Sequence, residues 1–473
     1  MATFDFIADI HCHPEMKPFG KSYPQGFRHD PDPRQPNNVW KRDRVDFLES
    51  LGLLFGLTKF RQSDLSSGTL GRVRLLVVSL YPLERGFVTG ANGRRHGPRI
   101  DALVNLATGV GPACIDATQA TRDYFPTLEQ QYEFWRQLDG RPVPRGPHAG
   151  RHYRLCRTAQ DVEQALNDPQ ATAVVFSIEG AHAFGPGAIF HEKPFDHALL
   201  LERITKVKKW PHRPLFVTLM HHFYNELGGH APSLAGIVAL STNQRHGRGE
   251  PLNDLGREVV RRLLDPADGR ILIDIKHMSR QCRDDYYRLL DQEYGPHTVP
   301  IVVSHGAVSG SALVANNPFL NEEINFDDDD LIRVARSGGL FGIQLDQRRI
   351  ASAEVIRANK NQLDRGRWRW AGLVWAQLRH VAEVLDHDGL PAWNTACLGT
   401  DFDGIVNPIR RFQTHDDLPR LADFLLEHLE AYFNQRGGPP LQVAANRELP
   451  PQEILNRFLG GNALALIQQQ LVA

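Results

Sequence analysis

Eight short runs rich in Val, Ile and Leu alternate with longer amphipathic segments, and several of the runs end on a histidine or an acid. Strand and helix in turn build a largely parallel sheet, and eight parallel strands can close on themselves. The sequence therefore predicts an α/β fold, a (β/α)8 TIM-type barrel.

The expected strands are residues 4–11, 73–80, 172–179, 215–221, 271–277, 299–305, 339–345 and 396–401. The best-marked unit runs from residue 253 to 305. Asn253 or Asp254 can cap a helix that carries Val259, Val260, Leu263 and Leu264 on one side and Arg257, Arg261 and Arg262 on the other. The strand ILIDI, a polar helix over about 279–294 and the strand VPIVVSH complete a crossover of ordinary length. Between the second and third strands, residues 83–156 read as an irregular insertion with clusters of Gly, Pro and Arg. Its one expected helix, 127–138, sets Leu128, Tyr132 and Trp135 on one face. Such a stretch is too rich in breakers for a core of its own, so it is expected to cover one barrel face and leave residues 1–473 as a single domain.

The composition excludes several classes. With 473 residues, 41% of them hydrophobic and 23% charged, the chain is neither disordered nor a coiled coil. Lys and Arg (54) nearly cancel Asp and Glu (55), and a net charge of -1 speaks against nucleic acid or an anionic membrane as the main partner. The start MATFDFIADIHCH lacks a leader pattern and no window is apolar for long enough to span a bilayer, so a soluble, cytoplasmic protein is expected. Against 21 His there are only 5 Cys, scattered at 12, 114, 156, 282 and 397 without a CxxC pair. Neither a disulfide framework nor a thiolate zinc site fits, so any metal bound by histidine is bound with carboxylates.

In a (β/α)8 barrel the chemistry sits at the C-terminal ends of the strands. The first strand closes with His11-Cys12-His13, whose alternation turns both imidazoles the same way and Cys12 away from them. Glu179 closes the third, His277 the fifth, His305 the sixth and Asp401 the eighth. Singly these residues have ordinary readings: HxH as a loop feature, His277 and His305 as hydrogen-bonded barrel histidines, Asp401 as a helix N-cap. Glu179 is less easily dismissed, because a carboxylate ending an apolar strand needs a partner. Six such residues at five strand ends favour a metal centre, and imidazole with carboxylate suits Zn, Mn, Fe or Co.

The order HxH, SIEGAH, VTLMHH, ILIDIKH, PIVVSH, GTDFDG and a late FLGGN resembles the membrane (renal) dipeptidase family of the amidohydrolase superfamily, over most of residues 1–20 and 157–467. The resemblance implies two divalent metal ions, zinc foremost, with His11, His13 and Glu179 on one and Glu179, His277 and His305 on the other. It implies that Asp401 stands beside the metal-bound water and His221 near the substrate carbonyl. His221 is preferred to His222, which is expected to face the other way, and Lys276 is expected to face the helix layer, opposite to His277. FLGGN is expected to be a tight packing turn. The implied activity is hydrolysis of an amide in a dipeptide-like substrate through a metal-bridging hydroxide, by a chain compatible with a homodimer.

Two departures stand out. His13 takes the place of the family's usual Asp in HxD. The family's carboxylate-binding Arg is missing, because residues 306–332 contain neither Arg nor Lys and are acidic instead. Arg348, Arg349 or the insertion's Arg94, Arg95 and Arg99 are the alternative cations. The gap keeps open an N-acyl amino acid, an ester or a lactone as substrate, and a barrel that binds metal without catalysis as a third reading.

Overall fold

In the computed structural model nine strands form one parallel sheet: β1 (Ile7–Cys12), β2 (Val73–Leu80), β3 (His152–Leu155), β4 (Ala171–Glu179), β5 (Phe216–Thr218), β6 (Leu272–Asp274), β7 (Val302–Gly306), β8 (Leu340–Ile343) and β9 (Ala396–Leu398). The structure describes residues 2–24, 26–43, 60–90, 94–185, 196–234, 242–310, 317–361 and 366–471. Eight strands follow one another in the order β1-β2-β4-β5-β6-β7-β8-β9 and match the eight expected runs. The ring is nearly closed: Asp401 N–H donates to His11 O and His13 N–H to Phe402 O, both at 2.9 Å, beyond the end of β9. This is the predicted TIM-type barrel.

Apolar residues facing inward and outward explain why these runs become strands. β4 is buried along all nine residues, the pattern of a strand covered on both faces. The helix Asp254–Leu264 packs Val259, Val260, Leu263 and Leu264 against the barrel, each fully buried, and Asn253 caps it by accepting from Gly256 N–H at 2.8 Å. The helix Arg280–Glu293 starts at Ser279 in the same way.

Two aspartates stitch neighbouring strands from within. Asp274, the last residue of β6, accepts from Thr218 Oγ1 (2.5 Å) beyond one edge and from Ser304 Oγ (2.6 Å) and Ser304 N–H (3.0 Å) beyond the other. Asp9 in β1 accepts from Thr400 Oγ1 (2.5 Å), Thr400 N–H (2.9 Å) and His415 Nε2 (2.8 Å). Buried carboxylates this well bonded lock strand register directly beneath the histidines.

The insertion is more ordered than its composition suggests. It holds the helices Pro98–Thr108, Pro112–Ala120 and Phe125–Arg136 as well as β3, which pairs in parallel with the start of β4. Prolines 98, 112 and 126 sit in the first turns of those helices, where the missing N–H costs nothing, so residues read as breakers are helix starts. FLGGN is likewise not a turn: Arg457–Gly461 is a π-helical segment, and a Cβ on Gly460 would lie 2.8 Å from the Phe6 ring. Among the described residues no helix is long and apolar enough to cross a membrane.

Candidate metal centre

The mouth of the barrel at the C-terminal strand ends holds a cavity of about 700 Å³, open side included, lined by Glu179, His221, His222, Lys276, His277, His305, Gln344, Asp401 and others. Glu179 stands at its centre. His13 Nε2 lies 3.1 Å from Oε2, and His221, His11, His305 and His277 place Nε2 at 3.3, 3.4, 3.6 and 3.7 Å from Oε1. Asp401 Oδ1 is 3.8 Å from His11 Nε2 and 3.7 Å from His13 Nε2, and its Oδ2 is 3.9 Å from His305 Nε2. All seven residues expected at the site are thus gathered around one point.

The local chain path explains the convergence. His11 is within β1, Glu179 ends β4 and His305 is within β7. His13 follows β1 by one position, and His221, His277 and Asp401 follow β5, β6 and β9 by three positions each. His277 and Asp401 take φ of 67° and 59°, a left-handed backbone that L-residues other than Asn and Asp seldom adopt. That turn overrides strand alternation. Lys276 therefore lines the cavity together with His277 instead of facing the helix layer. His222 does not face away either: its ring lies 4.0 Å from that of His221 and 4.8 Å from that of His277, and Nδ1 meets Ser233 Oγ at 2.6 Å. Cys12 does turn from the cavity and is fully buried beside Asp9 and His415.

The donor set fits divalent cations. His11, His13 and Glu179 bring one ligand atom each within 4.8 Å of one another, and so do Glu179, His277 and His305. Two nitrogens bound tetrahedrally at about 2.05 Å from one zinc ion stand about 3.3 Å apart. Nε2 of His11 and His13 are 3.2 Å apart, and those of His277 and His305 are 3.3 Å apart. Outer bonds aim the rings: His13 Nδ1 meets Ser79 O at 2.8 Å, and His305 Nδ1 meets Ser304 Oγ at 2.8 Å, itself bonded to Asp274. Each Nδ1 so engaged leaves Nε2 as the lone-pair donor.

The electrostatics follow from burial and crowding. Burial raises the Glu179 carboxyl, but His221, His11 and His13 outweigh it and hold the group well below the usual carboxylate range. Burial and then Glu179 push Asp401 up to about 7, and the positive charge of bound cations acts the other way. Burial lowers His221, yet Glu179 and Glu84 overcome it and raise the ring to about 10. Burial pushes His277 and His305 well below the ordinary imidazole value, the neutral form a ligand needs.

Residues 215–433 match the family model described as membrane dipeptidase, peptidase family M19. Over this region, which is somewhat less than half of its length, the chain is similar in sequence to the membrane dipeptidase family. It is accordingly a metal-dependent hydrolase, and the family implies a divalent metal. No curated protein matches the sequence significantly. Among solved structures, dipeptidase AC, a metallopeptidase of family M19, aligns over 99% of both chains with a TM-score of 0.51 and 16% identity. A metallopeptidase from Rhodobacter sphaeroides, bound to a phosphinate mimic of the dipeptide L-Ala-D-Ala, covers 99% of this chain and 100% of its own, with a TM-score of 0.52 and 15% identity. At such identities these two show a shared fold.

Sequence reasoning missed Glu84, Asp274 and Gln344. Gln344 donates to Asp401 Oδ2 at 2.9 Å. Asp274 had a legible signal, an acid inside the apolar run ILIDI. Glu84 had none, because it lies in a loop of the insertion. Arg94, Arg95 and Arg99 are exposed and none lines the cavity, whereas Phe87 of the insertion does. Residues 311–316 of the Arg-free stretch after His305 lie outside the described residues.

Proposed function

We propose that this chain is a binuclear metal-dependent dipeptidase that works as one barrel domain, with residues 83–156 as its cover. The observation that carries the reading is the pair of three-donor groups sharing Glu179. His11, His13 and Glu179 would hold one cation, and Glu179, His277 and His305 the other, with zinc favoured by nitrogen-rich ligation. When bound, two such cations supply Lewis acidity that polarises the scissile carbonyl and makes a shared water acidic enough to attack near neutral pH.

The protein's own groups do the rest. Asp401, steered by Gln344, takes the proton of the attacking water and returns it to the amide nitrogen as the C–N bond breaks. His221, held charged between Glu179 and Glu84, donates Nε2–H to the developing oxyanion. The side chains that line the cavity floor are buried, and the low dielectric around them strengthens both interactions.

The test uses zinc-reconstituted protein and a panel of L,L- and L,D-dipeptides, N-acyl amino acids, esters and lactones. Turnover of dipeptides above the other classes is expected, and Asp401→Asn should abolish it while metal content is retained. A preference for lactones or esters would replace the peptide reading, and full activity in Asp401→Asn would remove Asp401 from the chemistry.

A further inference from the structure

Asp401 stands on a loop whose backbone ordinary residues seldom form. Asp401, Asp403 and Ile405 take φ of 59°, 69° and 65°, left-handed at three alternate positions, and for a β-branched residue such as Ile405 that conformation is an outlier. Such a path persists only where its surroundings over-determine it. Two grips do so. The buried carboxylate of Asp403 accepts from Lys17 Nζ, from Ser63 Oγ at 2.6 Å and from Ser63 N–H at 2.9 Å, and Asp403 N–H donates to Gln62 Oε1 at 2.9 Å. Lys17, buried as well, belongs to the helix Met16–Lys21. At the other end Arg348 Nη2 donates to Ile405 O at 2.9 Å, while Asp346 holds the same guanidinium through Nε at 2.9 Å from Oδ2. These four side chains lie outside both three-donor groups around Glu179.

A buried ion pair contributes little net stability over apolar groups of the same shape, so one placed two residues from a reacting group needs another account. The space around Asp401 is equally constrained: a Cβ on Gly404 would stand 2.0 Å from Asp401 Oδ1. Gly404 has no left-handed φ of its own, so an alanine there is opposed by Asp401 and not by its own backbone. We propose that Lys17–Asp403 and Asp346–Arg348 form a two-point clamp that positions Asp401 for proton transfer, with Gly404 leaving the room its carboxylate occupies. Lys17, Asp403 and Arg348 are thus positioning residues that act on the substrate only through Asp401. The clamp rests on the dipeptidase reading for what Asp401 does, and deepens it by naming what holds that group in place. It also gives Arg348 a task inside the protein in place of a substrate anion.

The experiment compares the zinc-reconstituted wild type with Gly404→Ala, Arg348→Met and the double variant Lys17→Met/Asp403→Asn, which removes both buried charges and keeps at position 403 a residue that tolerates a left-handed backbone. kcat and KM on a dipeptide, zinc content and thermal midpoint are recorded for each. Crystal structures of the metal-free proteins give the Asp401 φ and its distance to Gln344, 2.9 Å in the wild type. Each variant should lose about a hundredfold in kcat, the cost of displacing a reacting group by about 1 Å, with KM and zinc content unchanged and Asp401 shifted. Wild-type kcat in Gly404→Ala and in the double variant overturns the clamp, and so does a loss of zinc that parallels the loss of kcat, which marks a merely structural role. A raised KM with kcat kept in Arg348→Met gives that arginine to the substrate and removes its grip. If one variant fails to fold, the others decide. A wild type that hydrolyses no dipeptide counts against the dipeptidase reading, and the metal-free structures then decide the clamp: an Asp401 that keeps its left-handed φ and its Gln344 contact in every variant overturns it.

Discussion

Glu84 Oε2 lies 2.5 Å from Nδ1 of His221, and both residues are almost completely buried. Tyr81 Oη donates to the same oxygen at 3.1 Å, and Phe223 N–H meets the other at 3.2 Å, so the carboxylate is fixed before it fixes the imidazole. The ring in turn directs Nε2 at Glu179. A loop of the insertion is thereby linked through His221 to Glu179 at the centre of the cavity.

Glu84→Gln keeps the shape of that contact and removes its charge. A fall in kcat of about tenfold to a hundredfold is expected, with metal content unchanged, because His221, the proposed oxyanion donor, loses a carboxylate that favours its charged form. Glu84→Ala should fall further. Steady-state kinetics with elemental analysis checks this, and wild-type kcat in Glu84→Gln would break the link between Glu84 and His221.

Asp274→Ala should destabilise the barrel by about 3 kcal/mol or more, since it leaves Thr218, Ser304 and the Lys276 N–H without a charged acceptor. Because Ser304 also positions His305, metal affinity should weaken in the same variant. Urea titration of the metal-free protein and a competitive zinc titration separate the two effects. A stable Asp274→Ala protein would mean the strands hold register without this stitch.

His29 gives a pH signature away from the metal centre. Burial, with Arg61 adding to it, lowers this imidazole from 6.5 to about 3 although it meets Phe134 O at 3.1 Å. The unfolded chain therefore takes up the proton first, so the contribution is fully present above about pH 6.5 and is lost as pH falls toward 3. Each pH unit within that window costs about 1.4 kcal/mol. Metal-free His29→Gln should lose stability less steeply than the wild type between pH 6.5 and 5 when measured by thermal melts. Parallel curves would show that His29 titrates normally.

The barrel and the gathering of its histidines were legible because both depend on short-range rules. Val, Ile and Leu runs mark strands, and a ligand placed near a strand end is carried to the mouth whatever the helices do. The side of each ligand's neighbour was not legible. Lys276 and His222 were read by strand alternation, but the strands stop three residues early and His277 adopts a left-handed backbone, which no periodicity announces. The insertion was misread for a related reason: Pro98, Pro112 and Pro126 act as helix starts only in a context that supplies the rest of the helix. Glu84 depends on tertiary approach alone, since 137 residues separate it from His221.

The shared-carboxylate metal centre is tested most directly by counting metal in the wild type and in Glu179→Gln after reconstitution with zinc and removal of excess. The wild type should hold about two ions per chain, and Glu179→Gln, which weakens both three-donor groups at once, should hold fewer than one with turnover lost. A wild type that retains less than one ion, or a Glu179→Gln protein that keeps two, would contradict the two-cation centre on which the proposed activity stands.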